Sequence, residues 1–168
     1  MPFVLENNQV VFAEPEDLIR RDQRLFDSNE GITNDVVYDS LIRSTERILT
    51  KLRSSPWWRG YYVNRGSTEG FRTTADIPPL DPTKIIARQN DFTDLCVFFA
   101  FSEFILPMIA DFGDEDSSER QKMSYYKVRA DEMYGELITA GDWYDFDGDG
   151  TITADEKQPG AFNLKRVR

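Results

Sequence analysis

Apolar residues recur at helical spacing in two long stretches of the chain. Val37, Leu41, Ile48 and Leu52 are separated by four, seven and four positions, with Tyr38, Ile42 and Leu49 beside them. This spacing predicts an amphipathic helix over residues 34–54, opened by Thr33 or Asn34 after the breaker Gly31. Its other face carries Asp35, Asp39, Arg43, Glu46 and Lys51, a solvated surface. Met123, Tyr126, Ala130, Met133 and Leu137 recur at three, four, three and four, the seam of a second helix reaching about Thr139. The run Asp116-Ser117-Ser118-Glu119 has capping-box spacing, with Asp116 in the capping role.

Between these helices the pattern changes twice. From 54 to 82, Pro56, Gly60, Gly66, Gly70, Pro78 and Pro79 alternate with Trp57, Trp58, Tyr61, Tyr62 and Phe71. No helical period is visible, so this reads as a long aromatic loop, with 58–64 an extended or hairpin segment. Asp81 followed by Pro82 then marks a helix start, and that helix should run into the stretch 95–110. The stretch is apolar nearly all round, as expected of a helix touched from several sides or covered by another subunit. Pro107 should kink or end it. Upstream, Glu14-Pro15-Glu16-Asp17 opens a short helix through about Phe26. The expected fold is all-α, a small bundle of about four helices with very little sheet.

With 168 residues, 40% of them apolar, the chain can bury one sizeable core. The expected organisation is a single helical domain over 1–156 and a tail over 157–168. Thirty acidic residues against twenty basic ones leave a net charge of -10, which opposes nonspecific attraction to nucleic acid. Histidine is absent, which removes Ser-His and Cys-His catalysis and imidazole-ligated zinc. The lone cysteine, Cys96, lies among apolar residues and reads as a small buried hydrophobe. The N-terminus lacks the marks of a secretory signal, so synthesis in the cytoplasm is expected. The apolar stretch 95–110 falls short of the roughly 20 residues that span a bilayer and is read as core, with no membrane partner.

One motif carries chemistry. Asp145-Phe146-Asp147-Gly148-Asp149-Gly150-Thr151-Ile152-Thr153-Ala154-Asp155-Glu156 fills the diagnostic places of the twelve-residue EF-hand calcium loop. A hard divalent cation needs several oxygens at once, and alternate positions of a tight loop supply them. Asp145, Asp147 and Asp149 converge, Gly150 permits the turn, and Thr151 offers its backbone carbonyl. Thr153 acts through a water, and Glu156 closes the shell with two oxygens. Ca2+ is therefore the expected ligand. Lys157-Gln158-Pro159-Gly160 leaves room for barely one turn of exit helix, and no second loop stands elsewhere in the sequence. A structural site is expected rather than a sensor that opens a groove.

The tail carries Lys157, Lys165, Arg166 and Arg168 and no acid, with Phe162 and Leu164 as apolar anchors. Phe162, Leu164, Lys165, Arg166 and Arg168 are candidates for docking on an acidic partner.

Taken in order, the helix over 34–54, the aromatic connector, the apolar helix and the run Tyr125-Tyr126-Lys127-Val128-Arg129-Ala130 form a recognisable layout. Glu132, Met133, Tyr134, Leu137 and the Asp-Phe-Asp-Gly-Asp-Gly loop complete it. The layout resembles the head-tail connector (adaptor, neck) proteins of tailed bacteriophages over roughly residues 30–156. The resemblance implies a non-enzymatic virion protein, located in the neck between capsid and tail. Its copies would form a homo-oligomeric ring, a dodecamer, under the portal protein. Such a ring extends the channel through which DNA passes without sequence-specific binding, and it docks the next neck or tail protein. By the same analogy residues 157–168 contact the portal, and 54–82 contacts neighbouring subunits. A competing reading is a monomeric calcium-binding interaction module. A third recasts Asp142, Asp145, Asp147 and Asp149 as a magnesium site for phosphoryl chemistry, but the loop spacing already uses the last three as calcium ligands.

Overall fold

In the computed structural model, residues 4–6, 9–64, 77–114 and 117–157 are described. The chain opens with two short strands that the hydropathy pattern does not announce. β1 (Val4–Glu6) and β2 (Gln9–Val11) pair antiparallel, with Val4 opposite Val11. The Phe12 amide after β2 donates to Thr45 Oγ1 at 3.2 Å, fixing this hairpin against the first long helix.

The short helix expected through Phe26 is two helices, α1 (Pro15–Arg21) and α2 (Gln23–Ser28). The break falls at Asp22, whose carboxylate accepts from the Leu25 amide as the cap of α2 and from Lys122 Nζ at 2.6 Å. A capping carboxylate competes well with helix continuation, because it satisfies an amide that the next turn would otherwise leave bare. The long helix α3 (Asn34–Ser54) has the expected bounds and buries Val37, Leu41, Ile48 and Leu52.

The segment read as extended is helical: α4 spans Pro56–Asn64. Ser55 Oγ accepts from the Trp58 amide at 3.2 Å, and Pro56 occupies the first turn, where its missing N–H has no cost. Tertiary burial of Trp57 and Trp58 outweighs their modest helix propensity. The rest of the aromatic loop over 65–76 lies outside the described residues.

Asp81 does cap a helical start, but only a 3-10 turn, Pro82–Lys84, with Asp81 Oδ1 accepting from the Thr83 amide at 2.9 Å. Arg88 adopts a left-handed conformation (φ 53°) and breaks the path. The central helix begins after it as α5 (Gln89–Phe99), continues as a π-helical segment (Ala100–Ile105) and ends as α6 (Leu106–Ile109). Pro107 falls just beyond the widened turn. Its ring would clash with the carbonyl four residues back in a regular α-helix, and the wider register relieves that clash.

This central span settles one alternative left open by its composition. Phe92, Leu95, Cys96, Ala100, Phe101, Ile105 and Leu106 are all buried by the chain's own elements. α3 packs on one side, α7 (Ser118–Ala140) on another, and α1 also touches it. No second subunit is needed to cover it. Its 21 helical residues, Gln89–Ile109, are long and apolar enough to cross a bilayer, unlike the shorter apolar run considered alone, yet 61% of the most apolar window is buried inside the chain.

In α7, Tyr126, Ala130 and Leu137 are buried and Met123 and Met133 pack half-buried against the core, as the seam predicts. Tyr126 stacks on Phe101 at 4.8 Å. Ser117, not Asp116, is the residue that caps α7, its Oγ accepting from the Arg120 amide; Asp116 lies outside the described residues.

Cys96 is fully buried beside Thr45 Oγ1 at 3.5 Å, and desolvation pushes its thiol up to about 12. A thiolate is the reactive form. Alkylating reagents at neutral pH should therefore leave the folded chain unmodified, and labelling should appear only with denaturant; rapid labelling of native protein would contradict this packing.

Candidate metal centre

Helix α7 ends at Gly141, which is left-handed (φ 58°) and donates its amide to the Leu137 carbonyl at 3.0 Å. A Cβ here would lie 2.3 Å from the Lys157 carbonyl, so glycine is required both by conformation and by the close return of the chain after the loop.

Residues 142–145 then form a strut fastened along the segment that precedes α5. Asp142 makes a two-pronged ion pair with the Arg88 guanidinium. The Ile86 amide donates to the Trp143 carbonyl at 3.1 Å, Tyr144 bridges to Ile85, and the Asp145 amide donates to the Lys84 carbonyl at 3.0 Å. Trp143 is fully buried and donates Nε1–H to the Leu137 carbonyl at 2.8 Å.

The aromatic residues of α4 complete this anchorage. Trp57 and Trp143 lie 4.3 Å apart, and Tyr61 stacks on Phe146 at 3.6 Å with an interplanar angle of 13°. Trp58 stacks on Phe146 from another side at 5.4 Å. The acidic loop therefore hangs from a rigid apolar wall, which holds its first carboxylate in place.

Within the loop, Asp145 is only 3% exposed, and its two oxygens accept from the Gly148 and Gly150 amides at 2.6 and 2.8 Å. Asp147 accepts from the Asp149 amide, and Asp149 accepts from the Thr151 amide and hydroxyl, both at 2.7 Å. Gly148 and Gly150 take φ values of 80° and 84°, which supply the tight curvature. One oxygen from each of Asp145, Asp147 and Asp149 lies within 4.8 Å of the others. Among the described residues, none of the three is ion-paired with a lysine or arginine. A set of converging carboxylate oxygens without a cationic partner fits a hard, oxygen-seeking cation such as Ca2+.

Glu156, expected to close the shell, is engaged differently. Glu156 is buried, with Oε1 accepting from the Phe146 and Asp147 amides at 2.9 and 3.3 Å and Oε2 accepting from the Thr153 amide and hydroxyl at 2.7 and 2.8 Å. It acts as a clasp that ties the end of the loop to its beginning and caps α8 (Ala154–Lys157). Ligation of a cation by Glu156 requires some of these bonds to be exchanged. Thr151 is expected to ligate through its backbone carbonyl, and the bond from its hydroxyl to Asp149 does not involve that oxygen. The structure thus gathers Asp145, Asp147 and Asp149 and sets Glu156 beside them as part of the loop's own bonding. The docking candidates Phe162, Leu164, Lys165, Arg166 and Arg168 lie outside the described residues.

Sequence reasoning missed Lys84, whose ammonium donates to the Phe146 carbonyl at 3.2 Å and reaches the flank of the loop. It also missed the Arg88–Asp142 pair. Both come from the stretch before α5, some sixty positions from the loop, and no local pattern links them.

Burial alone would raise the Asp145 carboxyl, but the amides of Gly150 and Gly148, with Asp147 and Asp149, outweigh it and hold the group below the usual carboxylate range. Glu156 is likewise lifted by burial and brought down further by Thr153, Phe146 and Asp147. A carboxyl depressed in the folded state contributes stability that is full above its unfolded value, about 4, and lost as pH falls through the folded value. In chelator, the melting temperature should therefore drop on acidification below about pH 4. The Asp145→Asn, Glu156→Gln chain should show a shallower drop in thermal melts; an identical slope would show that these groups do not carry the acid dependence.

No protein-family model, curated protein or solved structure matches the chain.

Proposed function

We propose that this all-α protein with an EF-hand-like loop is a structural assembly protein, and in particular a subunit of the head-tail connector of a tailed bacteriophage. Its copies form a ring beneath the portal protein, extend the DNA channel and dock the next neck or tail protein. It is made in the host cytoplasm and resides in the virion neck, without an enzymatic role.

The observation that carries this reading is the order of parts. α3, the aromatic segment, the buried central span, α7 with its Tyr-Tyr-x-x-x-Ala run and the terminal acidic loop follow one another as in the family the sequence resembles. A net charge of -10 suits a wall past which DNA slides. Ca2+ held by Asp145, Asp147 and Asp149 would offset two of the five negative charges of the loop and stiffen it. The buried central helix no longer argues for self-association, because its own chain covers it. Met108, Phe112, Tyr125 and Val128, all exposed, remain for contact with neighbours.

The carboxylate cluster favours a second reading, a monomeric calcium-binding interaction module whose loop is the working part. Light scattering of the purified chain, alone and with portal protein, separates the two. Rings or portal-dependent assembly support the connector. A monomer that responds to calcium and ignores portal overturns it in favour of the module.

A further inference from the structure

We propose that the cationic tail of one copy, residues 158–168, seats in a groove on the next copy, between the N-terminal half of α3 and the end of the central span. The proposal rests on the reading of the chain as a ring subunit and supplies the contact that would close the ring.

A groove of about 570 Å³ lies between α3 and the end of the central span, beside the π-helical segment and Pro107. Phe104, Pro107 and Met108 form its apolar side, and Met108 is 62% exposed despite its thioether chain. Asp35, Asp39 and Glu103 form its rim together with Arg43, three acids to one base. Asp39 is ion-paired to Arg43 at 2.8 Å and Glu103 to Arg47 at 3.4 Å, whereas Asp35 has no ion pair among the described residues. The site thus offers an adaptable apolar floor beside an uncompensated carboxylate.

The tail has the matching chemistry. Phe162 and Leu164 are followed at once by Lys165, Arg166 and Arg168, with no acid among them, on a chain that is otherwise strongly anionic. An extended segment places Phe162 and Leu164 on one side, two positions apart, and leaves the cations that follow to meet the rim.

Reach decides between the chain's own groove and a neighbour's. Lys157 closes against Gly141 and Trp57, beside the C-terminal end of α3. The groove lies toward the other end, about fifteen residues or ~22 Å along the helix axis at 1.5 Å per residue. Phe162 is five residues past Lys157 and at full extension covers at most ~18 Å. Phe162 therefore falls short of its own groove, and the two anchors, Phe162 and Leu164, cannot both seat there. A tail that enters the adjoining copy makes a head-to-tail contact, the kind that closes into a ring.

Cross-linking in the full-length chain tests this. Separately tagged Ala161→Cys and Met108→Cys chains are mixed under oxidising conditions; Cys96 is buried and does not compete. A disulfide between the two variants is expected. Adding Phe162→Ala to the Ala161→Cys chain should reduce its yield about tenfold through lost apolar burial, and high salt should weaken it. An Ala161→Cys, Met108→Cys double variant is run alongside; no cross-link between the single variants, or one formed only within the double variant, overturns the proposal, as does capture of the tail by added portal protein instead. Portal association is scored on the same samples. Loss of the cross-link with portal-bound rings intact overturns the tail contact alone, whereas a cross-link without portal association upholds the contact and overturns the connector reading.

Discussion

Calcium at a hundredfold excess over its dissociation constant should raise the melting temperature by about 5–10 °C: binding to the folded state alone adds about 2.7 kcal/mol, and each kcal/mol moves a chain of this length by about 2–4 °C. The variants that test it are chosen by the division of labour inside the loop. Asp145 and Glu156 are buried and hold loop amides, so the Asp145→Asn, Glu156→Gln chain should lose the calcium response and also melt lower in chelator. Asp147 and Asp149 lie on the exposed rim. Replacing both by asparagine should abolish the calcium increment while leaving the chelator melt nearly unchanged. An unmutated chain whose melting temperature ignores calcium would remove the metal from the account. Trp57 and Trp143 stand against the wall that carries the loop, so tryptophan emission offers a second readout of the same titration.

Trp143→Ala should be the most damaging single truncation near the site, at about 3–5 kcal/mol. Trp143 is fully buried, faces Trp57 at 4.3 Å, meets Phe92 edge-on at 4.8 Å and donates to the Leu137 carbonyl. Its removal opens a cavity and removes one of the two donors to the Leu137 carbonyl, which keeps the Gly141 amide. Against a typical total of about 5–15 kcal/mol this is a large fraction, visible as a fall of about 6–20 °C in a thermal melt. Calcium affinity should fall with it, because the strut that presents Asp145 loses its anchor. Tyr125→Ala, on the exposed face of α7, is the matched control and should stay within about 0.5 kcal/mol of the parent. A Trp143→Ala chain that melts with the parent would show that the aromatic wall is not what holds the loop.

The elements legible in advance share one property: their signal is local. The four- and seven-residue spacing in α3, the seam of α7 and the cap at Asp81 depend on residues within one or two turns of each other. The same holds for the acidic loop, whose ligand spacing is written in twelve consecutive positions. Two of the errors arose where distant contacts overrode local preference. Residues 58–64 resemble a strand by composition, and they are helical because Trp57, Trp58 and Tyr61 find Trp143, Tyr144 and Phe146 across the core. The helix expected from Pro82 is interrupted because residues 84–87 are drawn into hydrogen bonds with the strut 143–145.

Periodicity, capping chemistry and the twelve-position motif were thus enough to state an all-α chain with two long amphipathic helices, a buried cysteine and an acid-rich turn, since each needs only near neighbours along the backbone. Which residues carry that turn, how Glu156 is used, and whether the apolar helix is covered from within emerged only once remote segments were packed together. Those outcomes depend on competition among alternative partners far apart in the chain, and a linear pattern of polar and apolar positions does not specify who wins it.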